Sequence, residues 1–167
     1  MVDTLIVVTA KYALFLSLVI SAYVWLRLPR QQKWEFIVCA LLGGAIAFAL
    51  LKLGGALYSD QRPFVTEHIA PLFLHAPDNG FPSDHTLASM FLAVCVLFYS
   101  RRWGVALITI SLLLGASRIA AHVHRPIDIL GAIAMAVAAA LLARPAARWL
   151  TRRWPAAATA PQASEED

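Results

Sequence analysis

The amino-acid sequence predicts an all-α membrane protein, a polytopic bundle of about five transmembrane helices. Hydrophobic residues make up 60% of the 167 residues and charged residues only 14%, whereas soluble domains contain roughly half apolar and a quarter charged residues. The apolar residues form five long runs, and most basic residues lie between them. This length predicts one membrane domain over residues 1–154. The Ala/Pro-rich and then acidic remainder, residues 155–167, is predicted to be disordered.

Five segments are candidates for membrane-spanning helices, which need about 20 mostly apolar residues each. They are Thr4–Leu28, Phe36–Leu57, Pro82–Tyr99, Trp103–Ala121 and Ile127–Ala143. The third and fifth are short, so they are expected to tilt little or to begin in the headgroup region. The long connection before the third segment contains several prolines, which prevent it from forming a single helix.

The distribution of basic residues predicts that the N-terminus lies outside and the C-terminus lies in the cytoplasm. With this orientation, the inner side receives nine of the 14 Lys and Arg residues. These nine are Arg27, Arg30, Lys33, Arg101, Arg102, Arg144, Arg148, Arg152 and Arg153. Two connections, Tyr58–Phe81 and His122–Pro126, then lie on the outer side.

Four basic residues flank these two outer connections against the positive-inside tendency. They are Lys52, Arg62, Arg118 and Arg125. A nucleic-acid-binding patch would need a soluble face to carry it, and the sequence offers no soluble domain, so no nucleic-acid partner is expected. The positive charges instead indicate an anion-binding site.

Polar residues around the outer connections form a predicted cradle for a tetrahedral anion. Ser83, in the run Pro82-Ser83-Asp84-His85, suits the N-cap of the third helix, where free N–H groups favour an anion. Arg62 and Arg118 carry permanently charged guanidinium groups that match phosphate oxygens. Charged groups at membrane depth are costly unless they are paired or functional.

His124 and Asp128 are spaced to act as a pair at the start of the fifth helix. A carboxylate on one imidazole nitrogen selects the tautomer and leaves the other nitrogen as a nucleophile. His85, at the start of the third helix, can then protonate the leaving oxygen. The residues therefore predict phosphoryl transfer through a histidine.

The remaining polar residues near the outer connections have simpler or open interpretations. The sequence contains no H-E-x-x-H motif, and the arginines beside His122 and His124 oppose a cation, so neither a metal nor another cofactor is expected. His122 is interpreted as a polar interfacial residue, and His68 and His75 as ordinary loop histidines. Residues of open role are Glu67, as a weak candidate for a substrate contact, and Arg125, as either a lipid-phosphate ligand or an interfacial residue.

At these positions the sequence resembles the type 2 phosphatidate phosphatase superfamily. Ser117-Arg118, His124 and Asp128 match its third signature, and Pro82-Ser83-Asp84-His85 resembles its second, which is usually Pro-Ser-Gly-His. Arg62-Pro63 resembles the end of the first signature. The run Arg62-Pro63-Phe64-Val65 with Phe81-Pro82-Ser83-Asp84-His85 is similar to bacterial undecaprenyl-diphosphate phosphatases of the bacitracin-resistance type. The resemblance covers roughly residues 52–131.

The resemblance implies an enzyme of a bacterial inner membrane that dephosphorylates undecaprenyl diphosphate at the outer face. It implies that His124 forms a phosphohistidine, that Asp128 orients His124, that His85 protonates the leaving group, and that Arg62, Ser83 and Arg118 bind the phosphoryl oxygens. Two positions depart from the family. Asp84 replaces the usual glycine, and the family lysine would stand at Gly55, so Lys52, three residues earlier, is the nearest candidate for that phosphate contact.

Other functions share some of these residues. A phosphatidylglycerophosphate or phosphatidate phosphatase, or a lipid phosphotransferase, would use the same catalytic groups with a different acceptor site. A small transporter would place charges at several depths, whereas here they gather at one end. A vanadate-binding haloperoxidase is disfavoured because those enzymes are soluble.

Overall fold

The computed structural model describes residues 1–153, and within this range the regular structure is helical, without a β-strand. The helices are α1 (Val2–Arg27), α2 (Arg30–Leu57), α3 (Pro63–Thr66), α4 (Asp84–Leu97), α5 (Arg101–Ala120) and α6 (Pro126–Arg153). The predicted all-α membrane bundle is confirmed. The predicted domain end at residue 154 and the predicted disorder of residues 155–167 fall outside the described residues.

Among the described residues, four helices are long and apolar enough to cross a membrane, namely α1, α2, α5 and α6. The chain is therefore a multi-pass membrane protein. The third predicted span, Pro82–Tyr99, corresponds to α4, which is apolar but has only 14 residues. At the α-helical rise this is about 21 Å long, which is shorter than the roughly 30 Å hydrocarbon core of a bilayer.

The short helix α4 lies at the centre of the bundle and contacts α1, α2, α5 and α6. Its apolar side chains are buried on several sides, as Met90, Phe91, Ala93 and Val96 show. A helix surrounded in this way packs against protein, and at its start the N–H of Ser83 donates to the carbonyl of Asp128 in α6. Its terminal backbone groups can therefore be satisfied by the other elements within the membrane thickness.

A chain of buried serine hydroxyls connects three helices inside the bundle. Ser89 of α4 lies 2.9 Å from the hydroxyl of Ser17 on α1 and 2.7 Å from that of Ser111 on α5. All three side chains are buried. Small polar residues of this kind let membrane helices approach closely and join them by hydrogen bonds.

Helix α6 is longer than the predicted span Ile127–Ala143, because it continues through Pro145 to Arg153. Proline removes one backbone hydrogen bond from a helix interior, but contacts with α2 hold the last turns. Arg148 Nε donates to Glu35 Oε1 at 3.1 Å, and Gln31 Nε2 donates to the carbonyl of Thr151 at 3.3 Å.

Both connections that were predicted to lie on one side of the membrane meet at the same end of the bundle. Asn79 fastens the long connection to the end of α2, since its Nδ2 donates to the carbonyl of Gly55 at 2.9 Å. Gly80 donates its N–H to the carbonyl of Asp60 at 2.8 Å. A Cβ on Gly80 would lie 3.0 Å from Asp128 Oδ2, so a glycine permits this close approach.

Candidate active site

The backbone turn after α5 places Arg118 and His124 next to each other. His122 N–H donates to the carbonyl of Ile119, and Val123 N–H donates to that of Arg118. His122 has a φ of 61°, so these bonds form a Schellman motif that ends the helix at its left-handed residue. His124 N–H also donates to the carbonyl of Arg118, at 3.3 Å. The turn thus explains the spacing of the two residues and gives His122 a backbone role.

Asp128 holds the start of α6 and the ring of His124 at the same time. Its Oδ2 accepts the N–H of Arg125, the residue before α6, at 2.8 Å. This contact is one half of a capping box. The same oxygen lies 3.2 Å from His124 Nδ1. Both side chains are only 1% exposed, so the pair is held inside the protein.

The partners of the His124 ring determine its tautomer. Arg62 Nη1 lies 3.2 Å from His124 Nε2. A guanidinium can only donate, so Nε2 must be the accepting nitrogen and must carry a lone pair. Nδ1 then carries the proton and donates it to Asp128. The nitrogen with the lone pair therefore points towards the arginine that was predicted to bind phosphate.

The surroundings of His124 favour the neutral imidazole. Burial lowers the pKa of His124 below its ordinary value, and the charges of Arg118 and Arg62 lower the pKa further, whereas the contact with Asp128 opposes this shift. A neutral imidazole is the form that can act as a nucleophile.

Arg62 is 5% exposed and is oriented from three sides. Its Nε donates to Asp78 Oδ1 at 2.8 Å, and its Nη1 donates to the carbonyl of Val123 at 2.8 Å besides contacting His124. It also borders a cavity of about 400 Å³. The polar side chains lining this cavity are those of Lys52, Arg62, Asp78, Asn79 and Asp84.

Arg118 is 2% exposed, and its guanidinium lies against His75. Its Nη1 donates to the carbonyl of Ala10 in α1 at 3.2 Å, and its Nη2 lies 3.0 Å from His75 Nε2. Within residues 1–153 its buried Nε has no hydrogen-bond partner. One donor of this arginine therefore remains available for an anion.

The start of α4 has a different arrangement from the one expected. Ser83 occupies the N-cap, but its hydroxyl donates to Thr86 Oγ1 at 3.1 Å instead of capping the backbone. Asp84 Oδ1 accepts the N–H of His85 and lies 2.8 Å from its Nδ1. Asp84 thus contacts Nδ1 of His85, just as Asp128 contacts Nδ1 of His124. The other ring nitrogen of His85, Nε2, remains available.

The predicted residues are brought together to different degrees. Arg62, His124 and Asp128 form one contact chain, and Ser83 joins it by donating its N–H to the Asp128 carbonyl at 3.2 Å. Arg118 reaches this group through His75. Lys52 lines the cavity beside Arg62, but its Nζ lies over an aromatic ring, 5.4 Å from the centroid of Phe48.

Two site residues were missed by sequence reasoning. His75 was interpreted as an ordinary loop histidine, but it lies against both Arg118 and His124, with its ring centroid 6.2 Å from that of His124. Asp78, which pairs with Arg62, was not singled out. Their positions depend on how the long connection folds back, and no local spacing in the sequence indicates that.

Arg125 and Glu67 form a contact that ties the two connections together. Arg125 Nη2 donates to Glu67 Oε1 at 3.2 Å and to Thr66 Oγ1 at 2.7 Å, and Nη1 lies 3.6 Å from Asp60 Oδ1. These bonds hold α3 next to the start of α6. Both residues thus have a structural role at the border of the site.

Comparison with known proteins agrees with this geometry. The sequence profile of the PAP2 superfamily matches residues 32–152. Undecaprenyl-diphosphatase BcrC of Bacillus subtilis (strain 168) is 32% identical over 135 residues, covering 81% of this chain and 69% of that protein. Putative undecaprenyl-diphosphatase YbjG of Escherichia coli (strain K12) is 30% identical over 132 residues, covering 78% of this chain and 66% of that protein.

The fold is also shared with a solved structure. The crystal structure of Aquifex aeolicus LpxE aligns with a TM-score of 0.60 at 24% sequence identity, covering 85% of this chain and 84% of that chain. The family resemblance predicted from the three signatures is confirmed by the profile match and by the relatives. The chain therefore belongs to the PAP2 superfamily of lipid phosphatases.

Proposed function

We propose that the protein removes the terminal phosphate of undecaprenyl diphosphate and leaves undecaprenyl phosphate, at the outer face of a bacterial inner membrane. The observation that carries the chemistry is the buried His124–Asp128 pair, whose free nitrogen faces Arg62 at one end of a membrane bundle. The substrate is supported by two relatives that are named undecaprenyl-diphosphatases.

In the proposed first step, the Nε2 lone pair of His124 attacks the terminal phosphorus in line with the leaving oxygen. The N–P bond forms while the bond to the bridging oxygen breaks, which gives phosphohistidine and the lipid monophosphate. Asp128 stabilises the positive charge that develops on the ring, because its carboxylate accepts a hydrogen bond from the Nδ1 proton. Orientation and charge stabilisation of this kind dominate phosphoryl transfer.

The neighbouring residues stabilise and complete the reaction. Arg62 and Arg118 bind the phosphoryl oxygens, and the substrate takes the place of the contact between Arg62 and His124. His85 gives a proton to the bridging oxygen as it leaves with the lipid phosphate. Water then attacks the phosphohistidine and gives a proton to His85, which releases inorganic phosphate and restores both neutral His124 and protonated His85.

The cavity beside Arg62 supports a diphosphate as the substrate. The cavity, of about 400 Å³, borders Arg62, the arginine that faces His124. Lys52 also lines its wall. A second phosphate group could occupy this space while the first contacts His124. Lys52 would then bind the phosphate that stays on the lipid, although the family lysine position is occupied by Gly55.

The experiment is a comparison of phosphate release by the purified, detergent-solubilised protein with EDTA present. The substrates are undecaprenyl diphosphate, phosphatidylglycerophosphate and phosphatidate. We expect preferred release from the prenyl diphosphate, and we expect EDTA to leave the rate unchanged because a histidine nucleophile needs no metal-activated water.

Each other outcome changes a particular part of the proposal. Preference for a glycerolipid would retain the nucleophile and overturn the substrate. Loss of activity in EDTA that one added metal restores would overturn the metal-free mechanism. No release from any of the three lipids would move the proposal towards phosphotransfer or a non-enzymatic role in transport.

A further inference from the structure

His75 is held at the site by contacts of the residues just before it in the long connection. Leu72 N–H donates to the carbonyl of Ala121, at the end of α5. Phe73 packs between Lys11 of α1, whose Nζ lies 5.2 Å from the ring centroid, and His75, whose ring centroid is 6.2 Å away. The position of the His75 ring is therefore a property of the folded connection.

The hydrogen bonds of His75 determine which of its nitrogens carries the proton. Nε2 lies 3.0 Å from Arg118 Nη2, and because arginine only donates, Nε2 accepts. Nδ1 lies 3.4 Å from the carbonyl of Ala76 and donates to it. In the absence of substrate, His75 is therefore a neutral ring that presents a lone pair to Arg118.

This arrangement places His75 beside the phosphoryl group of the proposed reaction. Its ring stands at 79° to the ring of His124 with 6.2 Å between their centroids. A proton donor to the leaving oxygen must lie across the phosphorus from His124, whereas His75 lies against the nucleophile itself. The position next to Arg118 suits a ligand of a non-bridging phosphoryl oxygen.

We propose that His75 is a phosphate ligand that takes up a proton when a phosphoryl dianion binds, and then donates a hydrogen bond to a non-bridging oxygen alongside Arg118. This inference rests on the proposed function only in requiring that the site receives a phosphoryl group. The proton comes from solvent, and no covalent bond to His75 forms.

The protonation state of His75 depends on the charged groups near it. The charged and titratable groups that act on His75 are Arg118 from α5, Arg62 from the residue before α3 and His124 from the α5–α6 connection. The neighbours of these residues add further charge: Lys11 of α1 lies over Phe73, and the charge of Asp84, at the start of α4, acts on Arg118. Asp78 is engaged by Arg62.

Without a bound anion, these surroundings keep His75 neutral. Burial lowers the pKa of His75, and the nearby charge of Arg62 lowers it further. A dianion between the two arginines offsets their positive charge and adds negative charge next to the ring, which raises the pKa of His75 in the complex. Binding and proton uptake are therefore linked, and the affinity for a dianion rises as pH falls.

The experiment measures binding of tungstate to the detergent-solubilised protein by calorimetry between about pH 6 and pH 8, the range in which histidines titrate. Tungstate is a tetrahedral oxyanion that remains a dianion throughout this range. Measurement in buffers of different ionisation enthalpy gives the number of protons taken up. The variants are His75→Ala, His75→Gln and, as a matched control from the same connection, His68→Asn.

We expect the wild type to bind tungstate more tightly at the lower pH with proton uptake. His75→Ala should bind about tenfold or more weakly there, since a hydrogen bond to a charged group is lost, and its affinity should change little with pH. His75→Gln keeps a donor without a titrating group, so it should also lose the pH dependence. His68→Asn should behave like the wild type.

Unchanged affinity and unchanged proton uptake in both His75 variants would overturn the inference. Weaker binding that keeps the wild-type pH dependence would assign the proton to another group and would equally contradict it. Phosphate release from a lipid substrate is measured separately. A wild type that binds tungstate but releases no phosphate would refute the proposed function and leave the role of His75 intact.

Discussion

At the scale of single residues, the environment of His124 determines the pH range in which the proposed reaction runs. The reactive form is the neutral ring, and burial lowers the pKa of His124 from its ordinary value of about 6.5. Protonation of His124 removes activity as pH falls through the lowered pKa. The acid limb of kcat/KM for the wild type is therefore expected below about pH 6.5.

Asp128→Asn should shift the acid limb of kcat/KM to lower pH and should reduce the maximal rate. The contact with Asp128 raises the pKa of His124, so removing the negative charge lowers it. The same change removes the carboxylate that stabilises the developing positive charge, so the maximal rate should fall by about a hundredfold or more. The measurement is kcat/KM as a function of pH for both proteins.

An acid limb that moves towards neutral pH in Asp128→Asn would contradict the assigned contact. An unchanged maximal rate would remove Asp128 from the mechanism. The asparagine side chain still accepts the N–H of Arg125, so the start of α6 should remain capped and the variant should stay folded.

At this scale the sequence predicts contacts that depend on short spacing. His124 and Asp128 are four residues apart at a helix start, and the structure joins them through the cap of α6. The contact of His75 with Arg118 spans 43 residues and depends on the fold of the long connection. Local spacing contains no information about such a contact.

At the scale of helices, the close approach of α4 and α5 depends on glycine. A Cβ on Gly104 would lie 2.4 Å from Leu97 Cα, which is backbone and cannot rotate away. In α2, a Cβ on Gly44 would have no other atom within 4 Å among the described residues outside its own helical turn. The two glycines thus form a matched pair for testing the packing.

Gly104→Ala should destabilise the protein by about 1–3 kcal/mol, because the helices must move apart. Gly44→Ala should be at least as stable as the wild type, since alanine favours a helix by about 1 kcal/mol relative to glycine. The midpoint of thermal unfolding in detergent gives the comparison. Equal midpoints for the two variants would refute the assigned packing of α4 on α5.

Helix lengths show which elements the sequence can predict. Apolar runs predict both ends of α1 and α5 to within two residues, because the membrane requires long apolar helices. They also predict the end of α2 at Leu57, but that helix starts at Arg30, six residues before the predicted start at Phe36. The predicted last span ends at Ala143. The helix continues to Arg153 because Glu35 and Gln31 of α2 hold its last turns, and these are tertiary contacts.

At the scale of the whole molecule, the proposal requires the site to face outwards. The two connections that build the site lie at one end of the bundle, and the basic residues predict that this end is outside. The native cysteines Cys39 and Cys95 are buried, so single exposed cysteines can report the orientation.

Leu74→Cys, at a position that is 99% exposed in the long connection, should react with a membrane-impermeant maleimide in intact cells. Arg102→Cys, at the exposed start of α5, should react only after the membrane is opened. The measurement is the labelled fraction before and after lysis. The reverse pattern would place the site in the cytoplasm and contradict the proposed localisation.

The central claim is that His124 takes the phosphoryl group from a lipid substrate. The most direct measurement is the initial rate of phosphate release from undecaprenyl diphosphate by His124→Gln and His124→Ala, relative to the wild type. Glutamine is included because His124 is buried and a side chain of similar size helps to maintain the packing. We expect both variants, eluting as the wild type does in detergent, to lose at least about a thousandfold in rate. A folded variant of either kind that releases phosphate at a rate near that of the wild type would show that His124 is not the nucleophile.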